Sequence, residues 1–204
     1  MKRTISGLFD TREQASMAVK ELRAARIPEA DIGLVSNNVD GVDPDGDAAT
    51  DATTDAGAGA GVGAAVGGIG GLLTGLGVMA IPGVGPVVAA GWLAATVAGA
   101  ATGAVVGGVA GGLVGALTDR GVEKDEAQVY AEGIRRGGSL VTATVDDDNA
   151  ETARAILQRG SVDVRTREQT YRNEGWSGFV EDAPIYTSDQ VRAERDRYSR
   201  SDGL

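Results

Sequence analysis

Carboxylates are the main candidates for chemistry in this 204-residue chain, because it contains no His and no Cys. The first absence removes the commonest metal ligand and the usual general base near neutral pH. The second removes disulfide and thiolate chemistry. Asp43, Asp45 and Asp47 alternate as the first ligands of an EF-hand loop do. That loop then requires Gly, and Glu at its twelfth position, where this chain has Ala48 and Thr54. The run therefore reads as a solvated linker. Asp146-Asp147-Asp148 lies where a strand should pass into a helix, so capping is expected of it rather than acid–base work. Gly59-Ala60-Gly61-Val62-Gly63-Ala64 fits G-x-G-x-x-A, but an Asp-rich stretch precedes it in place of the apolar strand that a dinucleotide site needs. With only Lys2, Lys20 and Lys124, the chain has no GK[ST] phosphate loop. No catalytic, cofactor-binding or metal-binding residue is assigned, and a non-enzymatic protein without a cofactor is expected.

The strongest pattern concerns packing. No charged residue occurs between Asp55 and Asp119. Small residues recur there every fourth position, as Gly59, Gly63, Gly67, Gly71, Gly75 and then Gly91, Ala95, Gly99, Gly103, Gly107, Gly111, Gly115. Glycine costs a helix in water about 1 kcal/mol per residue relative to Ala, so the repeat suits closely approaching helix backbones better than a solvated helix. Pro82, Gly83, Gly85 and Pro86 break the stretch and predict a turn between two helices, 59–81 and 87–118. As helices these arms would be about 34 Å and about 48 Å long, against about 30 Å of hydrocarbon. Val105, Val109, Leu113 and Leu117 lie opposite the second row and would face lipid or a partner. A four-residue ridge drifts by about 40° per step around a straight helix, so either the arms cross right-handed and briefly or several neighbours share the ridge, which favours a homo-oligomer. Membrane lipid and further copies of the chain are the expected partners. The net charge of −10 argues against nucleic acid. The N-terminal residues lack the apolar core of a secretory signal, so the soluble parts are expected to be cytoplasmic and the protein membrane-associated.

The flanks must position this insert. Residues 1–36 read as strand, helix, strand: Thr11 and Asp10 can cap a helix, Gln14 and Glu13 stand at capping-box distance, and Ala15, Ala18, Val19 and Leu22 share one face. Residues 37–55 read as an acidic linker, 56–118 as the helical hairpin. Residues 119–168 read as helix, strand, helix, strand, with Ala127, Tyr130, Ala131 and Ile134 on one face of the first helix and Gly137-Gly138 closing it. Leu140 to Val145 alternates like a half-buried strand. Ala150, Ala153, Ile156 and Leu157 form the stripe of the next helix, and Val162 to Thr166 supplies a last strand. The two β-α-β halves predict an α+β fold, a ferredoxin-like antiparallel sheet with helices on one face, interrupted by the glycine-zipper hairpin. Residues 169–204 are polar and read as a disordered tail, with a short charged helix over Ser188 to Ser199 and Trp176, Phe179 and Tyr186 as a docking alternative.

Two stretches, GLFDTREQASMAVKELRAARIPEADIGLVS and GVEKDEAQVYAEGIRRGGSLVTATVDDDNAETARAILQRGSVDV, together with the IPGVGP turn, resemble the bacterial general stress protein 17M-like (heat-induced stress protein YflT) domain family. The resemblance covers about residues 3–168. It implies a stress-associated bacterial protein and carries no catalytic residues onto this chain. The expected function is non-enzymatic membrane association and self-association through the zipper. The alternative is a soluble regulatory ferredoxin-like module with a buried helical hairpin that binds a small ligand, whose identity nothing in the sequence indicates.

Overall fold

Strand β1 (Lys2–Phe9) feeds helix α1 (Arg12–Ala24) through Asp10 and Thr11. Thr11 is the N-cap: its hydroxyl accepts from the Gln14 amide while the Gln14 side chain accepts from the Thr11 amide, so two orphan donors are satisfied reciprocally. A 3₁₀ turn at Glu29–Asp31 leads into β2 (Ile32–Asn37). The computed structural model describes residues 2–41, 77–101 and 112–199. After β2 the described chain resumes with β3 (Gly77–Ile81), β4 (Gly85–Gly91), α2 (Trp92–Ala101), α3 (Gly112–Asp119), α4 (Lys124–Arg135) and β5 (Ser139–Asp146). Helices α5 (Asp147–Gln158), α6 (Val164–Asn173) and α7 (Ser188–Ser199) complete it.

The fold is α+β, with one five-stranded antiparallel sheet in the order β1-β5-β2-β4-β3. β5 lies between β1 and β2, so the β1–α1–β2 unit is split by a strand from the far half of the chain. Its register sets two cores. Leu140 stands between Leu8 and Val35 on one face, and Ala143 stands between Ile5 and Ile32 on the other. The first face is covered by α2, α3 and α4 through Trp92, Leu93, Leu113, Leu117, Tyr130 and Ile134. The second is covered by α1 and α5 through their predicted stripes, Ala15, Ala18, Val19 and Leu22 with Ala150, Ala153, Ile156 and Leu157. Helix α4 ends in a Schellman motif: Gly138 N–H donates to the Gly133 carbonyl and Gly137 N–H to that of Ile134, with Gly137 at φ +110°.

This architecture corrects four expectations. Helices cover both faces of the sheet, because the polar positions Thr142 and Thr144 of β5 are buried rather than solvated. The strand expected over Val162 to Thr166 is reduced to one hydrogen bond, Val162 N–H to the Leu8 carbonyl at 2.7 Å. Asp163 then caps α6, accepting from the Thr166 amide at 2.7 Å, and a cap wins over an alternating pattern only a few residues long. The place beside β1 that a ferredoxin-like order gives to a last strand is therefore not filled by one, and the β3–β4 hairpin extends the opposite edge.

The third correction concerns the insert. Residues 77–91 form a β-hairpin, not the facing ends of two helices. Its turn is Pro82 to Val84, with Gly83 at φ +70° and Gly85 at φ +103°, conformations that glycine adopts without a Cβ clash. The backbone of Val180 and Glu181 comes so close to Gly83 that an added Cβ would lie 2.7 Å from Glu181 Cα. The β-branched Val78, Ile81, Val87 and Val88 suit strands, and neighbouring β2 supplies the partner that sequence periodicity could not show. The fourth concerns the tail: α6 and α7 pack on α4, with Tyr171, Val191 and Tyr198 buried.

Candidate functional site

Asp10 is fixed by its position between the last residue of β1 and the cap of α1. Arg167 lies one turn into α6, whose start is fixed by the Asp163 cap and by the Val162–Leu8 hydrogen bond. These anchors bring the two side chains into a bidentate pair, Nη1–Oδ1 at 2.8 Å and Nη2–Oδ2 at 2.9 Å. Both are largely buried, and the Arg167 guanidinium lies 3.7 Å from the centre of the Tyr198 ring. Burial pulls the Arg167 pKa down, the hydrogen bonds to Asp10 push it up, and the net direction is up. Beside this pair opens a cleft of about 510 Å³, lined by Gln14, Ser161, Thr166 and Thr170 and by Arg197 and Tyr198 of α7.

A second set of charges holds the C-terminal helices to the sheet domain. Arg136 donates through Nε to Glu132 at 2.7 Å and through Nη1 to Glu174 and Glu194, with its guanidinium over the Tyr171 ring at 4.1 Å. Arg195 donates to Asp40 at 2.8 Å and to the Gly137 carbonyl at 3.0 Å. Arg197 bridges Glu174 and Glu194. Glu132 is 1% exposed and is paired with Arg135 and Arg136. Burial raises the Tyr171 pKa, and burial with the charges of Glu194 and Glu174 raises that of Tyr198 to about 12. Both phenols stay protonated at neutral pH.

Chemically the cleft offers hydroxyls, an amide and a neutralised Arg–Asp pair. The Asp163 carboxylate is held below its usual range first by the Thr166 backbone N–H, and it serves the cap. Such a set can hydrogen-bond a polar molecule. Among the described residues, no group of three or more Asp or Glu is placed to hold a metal ion.

The predicted packing residues are scattered. Gly59, Gly63, Gly67, Gly71, Gly75, Gly103, Gly107 and Gly111 lie outside the described residues, as do Asp43, Asp45, Asp47, Val105 and Val109. Gly91 does not lie on a helical ridge: it ends β4 at φ +68°, and a Cβ there would sit 1.9 Å from the Ile32 carbonyl oxygen. Gly99 is within α2 and Gly115 within α3. Pro82, Gly83, Gly85 and Pro86 do meet, in the β-hairpin, and the Pro86 carbonyl accepts from the Asn38 amide at 2.8 Å. Leu113 and Leu117 face the core of the domain rather than lipid, at 1% and 0% exposure. Asn37 to Asp40, read as linker, instead close the β2 end: the Asn37 amide side chain donates to the Ile134 carbonyl at 2.9 Å.

Sequence reasoning missed Asp10, Glu132, Arg136, Arg167 and Tyr198 as a group. One clue was present. Val129, Glu132, Gly133 and Arg136 follow i, i+3, i+4, i+7 and form a second buried face of α4, with Glu four residues before Arg. Compared with known protein families, curated proteins and solved structures, the chain matches none.

Proposed function

We propose that this is a non-enzymatic, stress-associated α+β protein that associates with membrane and with copies of itself through its uncharged glycine-patterned stretch. The observation that carries the proposal is the absence of charge between Asp55 and Asp119, with small residues at every fourth position. The stress association comes from the family resemblance. The finer fold reading, a ferredoxin-like core with a glycine-zipper hairpin, belongs to the same proposal, with the zipper confined to residues outside the β3–β4 hairpin.

Topology limits how membrane could be met. Gly41 and Gly77 belong to one folded domain, so any membrane insertion of the chain between them has to begin and end on the same side of a bilayer. Residues 43–55 carry five Asp, and residues 56–76 are 21 uncharged residues, enough for one helical crossing. Shallow or re-entrant insertion fits these lengths, and a single crossing does not. Among the described residues, no helix is long and apolar enough to cross a membrane. The test is flotation of the full chain with neutral phosphatidylcholine vesicles, beside Gly67→Asp and Gly71→Asp variants. Wild type should float and the variants should not; wild type remaining at the bottom of the gradient defeats membrane association. Self-association is tested by crosslinking: Gly103→Leu and Gly107→Leu should reduce oligomer far more than Val105→Leu and Val109→Leu. Equal behaviour of the four would mean that the Gly row is compositional bias.

A second reading, a regulatory module binding a small polar ligand, is favoured by the cleft beside Asp10 and Arg167. It predicts a protein that ignores vesicles and whose cleft variants, such as Thr170→Leu, lose ligand binding without losing the fold.

A further inference from the structure

We propose that α7 is a salt-released strap that forms one wall of the Asp10–Arg167 cleft, so that its opening controls access to that cleft. Three observations meet here. The first is that α7 is held mainly by charge. Of its twelve residues, Val191 and Tyr198 are its large apolar anchors, while Glu194, Arg195, Arg197 and Arg192 reach Arg136, Asp40, the Gly137 carbonyl and Glu174. A helix of this length and polarity is marginal without its tertiary contacts, so its detachment and its melting are coupled. The second is that the same helix lines the cleft with Arg197 and Tyr198, together with Ser161 of the 160–163 turn and Thr166 and Thr170 of α6. The third is that the groups under α7 also have partners outside it: Arg167 is bidentate to Asp10, and Arg136 donates to Glu132. Opening therefore removes a wall without removing the floor.

The energetic asymmetry gives the strap its trigger. Ion pairs at the rim of α7, Arg192 with Asp40 and Arg197 with Glu174 and Glu194, each have a half-exposed arginine and are screened by added salt. The sheet beneath is held by apolar contacts that salt does not weaken. Raising ionic strength should therefore loosen α7 selectively.

The test is hydrogen exchange of the full chain, read by mass spectrometry at low ionic strength and at about 0.5 M NaCl. Amides of 188–199 should exchange at least about fivefold faster in salt, those of 139–146 should not change, and those of 161–170 should follow α7 with a smaller increase. Glu194→Gln and Asp40→Asn should each accelerate α7 exchange at low salt and flatten its response to added salt. Val191→Ala removes an apolar anchor only, so it should accelerate exchange while keeping the salt ratio. A salt response retained in full by both charge variants, or α7 exchange unmoved by salt, overturns the strap. Faster exchange in α7 with 161–170 unaltered overturns its control of the cleft.

Discussion

The indole N–H of Trp92 donates to the hydroxyl of Thr142 at 3.1 Å, directly over Gly33. Gly33 pairs with Thr142 on one side and Gly91 on the other, and Gly91 turns the chain upward so that Trp92 folds back across β2. The insert is thereby tied to the strand shared by both halves of the sheet. Thr142→Val keeps the shape and leaves a buried N–H unpaired, which should cost about 1–3 kcal/mol. Gly33→Ala should cost a similar amount, about 1–3 kcal/mol, because its Cβ would lie 2.6 Å from Thr142 Oγ1 and 2.8 Å from both Trp92 and Leu93. Urea midpoints check both; unchanged midpoints would mean that Trp92 is not seated there.

The two parts of the insert should respond differently to deletion. Replacing residues 42–76 by a Gly/Ser linker of equal length should leave a cooperatively folding domain, because no described core contact is removed and the closed loop keeps its length. Deleting 56–118, the stretch expected to form a helical hairpin, removes β3, β4, α2 and most of α3, and with them Trp92, Leu93, Leu113 and Leu117. Cooperative unfolding should then be lost. Circular dichroism during thermal melting distinguishes the cases, and a sharp transition in the larger deletion would show that the insert is not part of the core.

Local elements were legible wherever local chemistry decides them. The Thr11–Gln14 box, the stripes of α1 and α5 and the glycine closure of α4 all follow from spacing within one helix. What was not legible depended on long-range partners. Residues 77–91 have the composition of either a buried helix or a strand, and only pairing with β2 chooses between them. β5 alternates apolar and polar residues, yet Trp92, fifty residues earlier, satisfies Thr142 and buries its polar face. The candidate site suffers most from this limit, since Asp10 and Arg167 are 157 positions apart. The polar composition of the tail pointed to disorder because its charges are satisfied by Arg136 and Asp40 in distant elements.

The Asp10–Arg167 pair should behave as a unit. Arg167→Met leaves a mostly buried carboxylate without its partner and should destabilise by about 3–5 kcal/mol. Adding Asp10→Asn removes the orphaned charge, so the double variant should recover part of the loss. Denaturant titration of the two single variants and the double variant measures the coupling. Strict additivity would mean that the bidentate geometry contributes nothing.

Alkaline pH should unfasten the C-terminal helices. Tyr198 has a pKa raised to about 12 from an ordinary value of 10.0, first by burial and then by Glu194 and Glu174. Burial also raises Tyr171 and Tyr130. Between pH 10 and 12 the folded state therefore holds protons that the unfolded state has released. Linkage then makes stability fall as pH rises through that window, whereas below pH 10 the contribution is fully present. Tyr198→Phe removes one of these groups and should reduce the alkaline loss, while leaving the ring beneath Arg167 in place. The measurement is the pH dependence of the urea midpoint for wild type and Tyr198→Phe, with tyrosinate absorbance followed in the same samples. Tyrosinate of Tyr130, Tyr171 and Tyr198 should form in wild type only as the protein unfolds. Full ionisation of all four tyrosines in a folded protein near pH 10 would show that Tyr171 and Tyr198 are solvated, and that α6 and α7 do not pack on α4.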